Sequence, residues 1–305
     1  MTNNIRIILF VTCMSGMLSC TKKEKTAKDT ILEGTTTVFV DETLRPIIDD
    51  QIQIFESKYN AKIIMKSQSE TEVIQSIVKD SSRIAIIARK LTDQESKFFV
   101  EKKLIPRVTP FAKDGIALIV NKNNKDSIIA LQEVVDLMQG KSSRWKGLVF
   151  DNPNSSTARY LMQLSRLKIF PTNGVFSFKT NDEVIKFISQ NSGMIGVVGL
   201  SYILEPKSSM VENLHKINVL DIKNDNDGKY YSPTQNNIAE GKYPLARELY
   251  VVNCQGYSGL GMGFASFIAG ETGQRILLKS GLVPIRIPSR KIRIRNQINN
   301  DKKQN

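Results

Sequence analysis

Three consecutive hydroxyl side chains, Ser155, Ser156 and Thr157, form the stretch of the sequence with the most chemical content. They follow an apolar, strand-like run at residues 148–150 and a short turn, and a helical pattern begins at the same point. The first N–H groups of a helix have no partner inside the helix, so hydroxyls beside them form a site that accepts an oxyanion. Arg159 lies on the first helical turn and adds charge-assisted donors. Because Ser and Thr are also preferred N-cap residues, helix capping is the alternative interpretation.

The positive charge of the chain is concentrated at its two ends. The 305 residues carry a formal net charge of +13, of which +2 falls in residues 1–33 and +6 in residues 286–305. The remaining +5 makes the body mildly basic, which eases the approach of anions but specifies no partner. We therefore expect no nucleic-acid partner. The basic C-terminal tail is interpreted as solvated, with contact to an anionic membrane as the alternative.

The N-terminus has the layout of a bacterial export signal. Arg6 precedes an apolar run over residues 7–18, and a small residue and Cys20 follow. This run is too short to cross a bilayer, which takes about 20 residues, whereas a charged start and a short apolar core are typical of a signal peptide. A Cys at this point resembles a lipobox. We expect a signal peptide at 1–19, lipidation of Cys20 and a lysine-rich tether at 20–33; an uncleaved anchor is the alternative.

Either interpretation places the body outside the cytoplasm, at a bacterial membrane surface. The cysteine content agrees, since Cys254 is the only cysteine after Cys20 and no intrachain disulfide is then available to the body. Cys254 ends an apolar, strand-like run and is expected to be a small core residue.

Short apolar runs alternate with helical patterns through the body of the chain. This alternation predicts parallel α/β sheets with right-handed crossovers. About 250 ordered residues are many for one such sheet, so two lobes are favoured, with crossovers at 115–120 and 243–251. Ligands bind at the carboxyl ends of the strands in such sheets, which places the expected site in a cleft between the lobes. The expected segments are 34–114 plus 250–287 for lobe 1, 115–249 for lobe 2 and 288–305 for the basic tail.

The same patterns locate the individual elements. Strands are predicted at 36–40, 63–65, 84–87, 115–120, 148–150, 195–199 and 249–253. Helices are predicted at 44–59, around 73–78, after a capping box at 92–95, at 131–138, from the hydroxyl motif to about 167, after an Asn181 cap, around 264–268 and at 272–280. The glycine-rich runs 195–199 and 259–263 are expected to let neighbouring elements approach closely.

No catalytic or metal-binding constellation is found in the sequence. The chain has one His, His215, in a polar stretch, and with one isolated Cys in the body this excludes the usual zinc sites. Neither the nucleophile elbow G-x-S-x-G nor a phosphate-binding P-loop is present. Asp41 and Glu42 are sequence neighbours and need not form a catalytic dyad. We expect no enzymatic activity, cofactor or metal; a hydrolase of phosphorylated substrates is the least favoured alternative.

Several stretches together resemble the PstS-like phosphate-binding proteins in order and spacing. They are VDETLRP (40–46), IIARKLT (86–92), SST (155–157), YPLAR (243–247) and GLVP (281–284). The resemblance runs from about Gly34 to Ile287. It implies the two-lobed type II periplasmic-binding-protein fold. It also implies a monomeric solute-binding lipoprotein that captures inorganic phosphate, or a similar tetrahedral oxyanion, and delivers it to an ABC permease.

The resemblance also implies a set of phosphate-binding residues contributed by both lobes. These residues are Thr43, Leu44, Ser69, Arg89, Ser155, Ser156, Thr157 and Arg159. For Thr43 and Ser69 the alternative is ordinary helix capping, and for Arg89 it is an ion pair with Glu95 or another acid.

The sequence departs from the family's pattern at three places, two of them among these residues. Arg89 stands near the Asp that in many receptors accepts the proton of hydrogen phosphate and so discriminates against sulfate. Ser156 replaces a Gly, and Asp151 stands where many members have an Arg. The candidate proton acceptors are then Asp41, Glu42, Glu70 and Asp151. The alternative function is a relative that has lost transport and acts as a surface scaffold or anion sensor.

Overall fold

The computed structural model of the chain describes residues 29–79, 83–141 and 143–287. The predicted signal peptide, the lipidation site Cys20 and the basic tail lie outside the described residues. Within those residues, no helix combines the length and the apolar character that a membrane crossing requires.

Thirteen strands and eleven α-helices make up the described chain. The strands are β1 (Gly34–Asp41), β2 (Ala61–Gln68), β3 (Ile84–Ile87), β4 (Arg107–Asn121), β5 (Ile128–Ala130), β6 (Gly147–Phe150), β7 (Val175–Ser177), β8 (Met194–Gly199), β9 (Ile217–Val219), β10 (Asp221–Lys223), β11 (Tyr230–Tyr231), β12 (Ala246–Asn253) and β13 (Val283–Pro284). The helices are α1 (Arg45–Lys58), α2 (Glu70–Lys79), α3 (Asp93–Glu101), α4 (Leu131–Met138), α5 (Ser156–Leu164), α6 (Asn181–Gln190), α7 (Ser201–Leu204), α8 (Val211–Leu214), α9 (Gln235–Ala239), α10 (Leu260–Ala269) and α11 (Glu271–Lys279). Short 3-10 turns lie at Glu42–Leu44 and Ser208–Met210.

One long strand, β4, connects the two halves of the main sheet. The strand order is β2-β1-β3-β12-β4-β8-β6-β7, with β9 and β13 also paired to β4. Residues 107–115 of β4 pair with β12, whereas residues 116–121 pair with β8 and β9. A separate small sheet has the order β11-β10-β5.

Parallel pairs occupy the outer parts of the main sheet and antiparallel pairs its middle. β1 is parallel to β2 and β3, and β6 is parallel to β7 and β8. β12 is antiparallel to both β3 and β4. The expected mostly parallel arrangement therefore holds away from the middle, and β4 and β12 depart from it. A strand that is buried on both faces is a continuous apolar run whether it is parallel or antiparallel to its neighbours. Its sequence therefore does not distinguish parallel from antiparallel pairing.

Two apolar bodies lie on either side of the middle of β4. One core collects residues from Ile116 to Leu245, and we call this part the second lobe. The other core draws on residues 38–112 and 249–282, and we call this part the first lobe. In the first lobe, Phe55 meets Phe264 and Phe267 edge to face, with ring centroids 5.3 and 5.2 Å apart. The lobes are thus separately packed and joined through β4 and β12.

The glycine-rich runs allow close packing, which confirms the expectation from the sequence. A Cβ at Gly261 of α10 would lie 2.0 Å from Ile84 Cδ1, so only Gly lets α10 rest on β3. In β8, a Cβ at Gly196 would lie 2.7 Å from Ile119 Cγ1 and 2.8 Å from Ile188 Cγ1. The helix α6 therefore packs directly on the strand backbone at this point.

Gly196→Ala is expected to lower the free energy of unfolding by about 1–3 kcal/mol, because the added methyl group has no space in the core. Urea unfolding followed by circular dichroism measures this change. Ile169→Ala, at a side chain that is 82% exposed, is the control and should stay within about 0.5 kcal/mol of the unchanged chain. Equal stability of Gly196→Ala and the unchanged chain would contradict the packing.

Candidate functional site

The two lobes touch where the end of β1 faces the start of α5. After β1, the turn Glu42–Leu44 presents Thr43, and Thr43 Oγ1 lies 2.9 Å from Ser156 Oγ of the second lobe. Both side chains are fully buried. The hydroxyl of Ser201 also crosses the cleft and donates to the carbonyl oxygen of Thr43 at 3.0 Å. The cleft expected from the strand ends is therefore closed over these residues.

A buried guanidinium, that of Arg247, lies beside this pair of hydroxyls. Arg247 Nη1 donates to Ser156 Oγ at 2.7 Å, and Nη2 donates to Thr43 Oγ1 at 3.2 Å. Arg247 Nε and Nη2 also donate to the carboxylate of Asp114 at 2.8 and 3.0 Å. Arg247 and Asp114 are directly opposite each other on β12 and β4. Burial alone would lower the pKa of Arg247, but Asp114 together with the charges of Asp41 and Glu70 raises it, so this cation keeps its charge.

Two carboxyl groups of the first lobe are buried at the same place. Asp41 Oδ2 accepts a hydrogen bond from Thr43 Oγ1 at 2.8 Å, and burial together with the charge of Glu70 raises the pKa of Asp41 to about 7. Burial likewise raises the pKa of Glu42 to about 7, although hydrogen bonds from Tyr202 and Asn181 oppose the shift. Near neutral pH both groups therefore exchange a proton readily.

The hydroxyls at the start of α5 bond to a carboxylate of their own lobe. Asp151 Oδ1 accepts from Ser155 Oγ at 2.8 Å and from Thr157 Oγ1 at 2.9 Å. Ser155 Oγ also accepts from the N–H of Ala158 at 3.3 Å, so the capping interpretation holds for Ser155. Burial raises the pKa of Asp151. The motif thus combines a helix cap with two hydroxyls that donate to one oxygen of a buried acid.

The side chain of Asn181 connects a carboxyl group of the first lobe, that of Glu42, with one of the second lobe, that of Asp151. Its Nδ2 donates to a carboxylate oxygen of Glu42 and to Asp151 Oδ2 at 3.3 Å. The predicted Asn181 cap is wrong, because Thr180 is the N-cap of α6 and accepts from the N–H of Glu183. Because Thr180 caps the helix, the side-chain amide of Asn181 is free to bond to the acids of the cleft.

Glu70, at the start of α2, carries an ion-pair network that also spans the lobes. Its carboxylate accepts from Arg89 Nε of the first lobe at 3.2 Å and from Arg159 Nε of the second lobe. Arg89 further pairs with Glu95 through two hydrogen bonds of 2.7 and 2.9 Å. The Glu95 pair given as the alternative for Arg89 is therefore present. Arg89 and Arg159 thus share the carboxylate of Glu70, near the hydroxyls at the start of α5.

Two of the residues implied by the resemblance serve their own helices. Both the N–H and the hydroxyl of Ser69 donate to Glu72 Oε2, at 3.0 and 2.7 Å, which is a capping arrangement at α2. Leu44 is fully buried in the first-lobe core and precedes α1. Ligand contacts by any of the eight implied residues remain predictions.

Arg247 is the functional candidate that sequence reasoning missed. It lies in the stretch YPLAR, which we took as a structural motif of the resemblance. The signal in the sequence was the position of this arginine at the start of an apolar strand, because such a strand is expected to be buried. Its partner Asp114 is 133 positions away in sequence, so no local pattern links the two.

The site as a whole offers both donors and acceptors to a small polar ligand. The donors are the Arg247 guanidinium and the hydroxyls of Thr43 and Ser156; the acceptors are the buried carboxyls, Asp41 foremost. Over residues 29–79, 83–141 and 143–287, no group of three or more His, Cys, Asp and Glu side chains is placed to hold a metal ion. Separation of the lobes would break the hydrogen bonds between these groups and leave them able to bond to a ligand.

Comparison with known proteins agrees with the fold and with the resemblance. The model of the PBP superfamily domain matches residues 24–272. The phosphate-binding protein PstS of Staphylococcus epidermidis is 24% identical over 68% of this chain, and the PstS proteins of Staphylococcus aureus are 23% identical. The chain spans 65% of the length of these curated relatives. The resemblance to PstS-like proteins is thus confirmed.

Solved structures show the same fold at low sequence identity. A substrate-binding protein from Clostridium perfringens, assigned to a phosphate ABC transporter and solved with bound phosphate, has a TM-score of 0.68 and 20% identity, and it covers 83% of this chain and 100% of its own. An ABC-type phosphate transport receptor from Vibrio cholerae has a TM-score of 0.62 and 16% identity, covering 81% of this chain and 99% of its own. The expected two-lobed type II fold is confirmed.

The raised pKa of Asp41 predicts that the protein loses stability as the pH rises. Because the folded state holds this proton up to about pH 7 and an exposed Asp loses it near pH 4, folding takes up a proton between these values. The free energy of unfolding should fall through this window by up to about 1.4 kcal/mol per pH unit for this group. Asp41→Asn should flatten the slope, as measured by urea unfolding from pH 5 to pH 8.

Asp49→Asn, at a side chain that is 42% exposed, is the matched control and should keep the slope of the unchanged chain. An identical slope in Asp41→Asn and in the unchanged chain would show that Asp41 titrates normally, against the burial described.

Proposed function

The chain belongs to the PBP superfamily, and we propose that it captures inorganic phosphate, or a similar tetrahedral oxyanion, between its lobes and delivers it to an ABC permease. The observation that carries this proposal is the meeting of Thr43, Ser156 and Arg247 across the cleft. The names of the PstS relatives support phosphate as the ligand.

The mixture of donors and acceptors favours an oxyanion that carries a proton. Arg247 and the hydroxyls donate to the unprotonated oxygens of the ligand, and Asp41 accepts the proton of a ligand O–H group. Sulfate has no such proton at neutral pH, so it would leave a buried carboxylate facing an anion. Arg89, which stands near the family's proton-accepting Asp, is held by Glu70 and Glu95. We therefore assign proton acceptance to Asp41.

Several donors of ordinary strength suffice for transport affinity. A micromolar dissociation constant corresponds to about 8 kcal/mol, and a hydrogen bond to a charged group contributes about 1.5–3 kcal/mol. The guanidinium and the hydroxyls of Thr43, Ser156 and Thr157 reach this range after ordering and closure costs. Closure is a hinge motion of the lobes about β4 and β12.

We place the protein outside the cytoplasm as a monomeric lipoprotein anchored through Cys20, and as a binding protein with no catalytic role. The N-terminal export pattern supports the anchor. We propose a division of the lobes at residues 114/115 and 249/250; the separate apolar cores support it, although Leu249 packs in the first-lobe core. A second candidate function, an anion sensor or scaffold without transport, is favoured by Asp151, which already accepts hydrogen bonds from the hydroxyls of Ser155 and Thr157.

Isothermal calorimetry with phosphate, arsenate and sulfate tests the proposed ligand. We expect phosphate and arsenate to bind with micromolar dissociation constants and sulfate to bind at least about tenfold more weakly, a difference of about 1.4 kcal/mol. Thr157→Val should weaken phosphate binding about 10- to 150-fold, because it removes a cleft hydroxyl that contributes about 1.5–3 kcal/mol. Thr180→Val makes the same change at the cap of α6 and should bind normally. If none of the three anions produces binding heat, the proposal is contradicted, and of the second candidate only the scaffold role is left.

A glycine of the second lobe sets how closely the lobes meet. A Cβ at Gly199 would lie 2.6 Å from the carbonyl oxygen of Thr43 in the first lobe. Gly199→Ala should therefore oppose closure and weaken phosphate binding at least about tenfold, or about 1.4 kcal/mol, with little change in melting temperature.

The matched control for closure is Gly196→Ala, three positions earlier in β8. It should lower the melting temperature through the second-lobe core while affecting closure less. Tight binding by Gly199→Ala would show that ligand capture does not need this interlobe approach.

A further inference from the structure

A surface at one end of the first lobe combines an exposed aliphatic side chain with three cations. Ile105 is 80% exposed, and Lys102, Lys103 and Arg107 are exposed beside it. Tyr257, 41% exposed, lines a shallow groove together with Lys103, Ile105 and Arg107. We call these five residues the Ile105 face. An aliphatic residue and a Tyr among Lys and Arg are typical of surfaces that rest in the interface of a membrane.

Two loops build the Ile105 face and pack on each other. One loop follows α3, and the other follows β12. A Cβ at Gly256 would lie 3.0 Å from Leu104 Cδ2, and Arg107 Nη1 donates to the sulfur of Met262 at 3.6 Å. Glu101 is the one acid in residues 101–107, against three cations. The face is thus continuous and basic.

The N-terminal tether reaches the body at this face. The carboxylate of Asp29 accepts from the hydroxyl of Tyr257 at 2.9 Å and from the N–H of Leu260 at 2.6 Å. Residues 21–28, with four Lys and one Glu, separate Asp29 from Cys20. A fully extended chain gains about 3.4 Å per residue, so a lipid on Cys20 would hold Asp29 within about 31 Å of the membrane.

The Ile105 face lies at the opposite end of the first lobe from the cleft. In the sheet, Asn253 of β12 is opposite both Ile84, at the amino end of β3, and Arg107. The cleft residue Asp41 is at the carboxyl end of β1, which is parallel to β3. On β12 the cleft residue Arg247 is six residues before Asn253, which at about 3.4 Å per residue places about 20 Å between the cleft and this end of the strand.

We propose that, between deliveries to the permease, the Ile105 face lies against an anionic lipid surface and holds the cleft away from the membrane, open to solvent. The proposal rests on the lipid anchor of the proposed function, not on its ligand. Lys and Arg near a membrane surface are attracted to anionic headgroups. A short tether raises the local concentration of the face at the membrane, so a weak contact is enough to orient the body. The lysines of the tether are attracted to anionic headgroups in the same way.

The test uses the lipidated chain reconstituted in phosphatidylcholine vesicles with and without phosphatidylglycerol. A fluorophore that is sensitive to polarity is attached at Ile105→Cys, and the control is Ile169→Cys, an 82% exposed site of the second lobe. Cys254 is buried. We expect spin-labelled lipid to quench the fluorophore at position 105 in anionic vesicles, and not the one at position 169. Lys102→Glu, Lys103→Glu and Arg107→Glu together should reduce this quenching at least about fivefold.

Three outcomes would overturn the proposal. The first is equal quenching at positions 105 and 169, or none at 105, in vesicles that float with bound protein. The second is a response at position 105 only after another protein is added, because the face would then be a protein interface. The third is a chain that does not float, since Cys20 then carries no lipid. Failure to bind phosphate leaves the quenching result unchanged, so the two proposals are tested separately.

Discussion

The buried guanidinium of Arg247 is the interaction on which closure of the molecule depends. Its partner Asp114 is directly opposite on the neighbouring strand, so the ion pair is built into the sheet where the lobes join. Burying such a pair stabilises a fold little compared with apolar residues of similar size. The guanidinium also donates to Thr43 of one lobe and Ser156 of the other. Because these two bonds form together only when the lobes meet, the pair serves closure more than the stability of either lobe.

Glu70 makes closure reversible at low cost. Its carboxylate is shared by Arg89 of its own lobe and Arg159 of the other. A buried carboxylate that lost every partner would oppose opening strongly. When the lobes separate, Glu70 keeps Arg89 and gains water, while Arg159, whose side chain is 30% exposed in the closed form, is readily solvated. The first lobe thus retains a satisfied acid in both states.

The sequence predicts those elements and site residues that local patterns determine. It does not predict those that depend on contacts with residues distant in the chain. The apolar run at 115–120 identified only the second part of β4, because its first part, from Arg107 to Asp114, contains Pro110 and charged side chains. Pro110 is accommodated at a register shift opposite Leu249 and Tyr250, as expected of a residue without an N–H. The hydroxyl motif was recognisable because helix starts have a local signature. Arg247 and Asn181 reach the site through tertiary contacts, which no local pattern records.

The exchange of internal bonds for ligand bonds determines what this cleft can hold. In the closed form, Thr43 and Ser156 bond to each other, and Ser155 and Thr157 bond to Asp151. A ligand therefore gains only the difference between its own hydrogen bonds and those it replaces. A neutral ligand gains little from that exchange, whereas an anion also gains the charge of Arg247. Any anion must in turn tolerate Asp41 and Asp151, which an oxyanion can do by presenting a proton to one of them. Under the proposed function, the net charge of the cleft, and with it the choice of ligand, is governed by the protons on its buried acids.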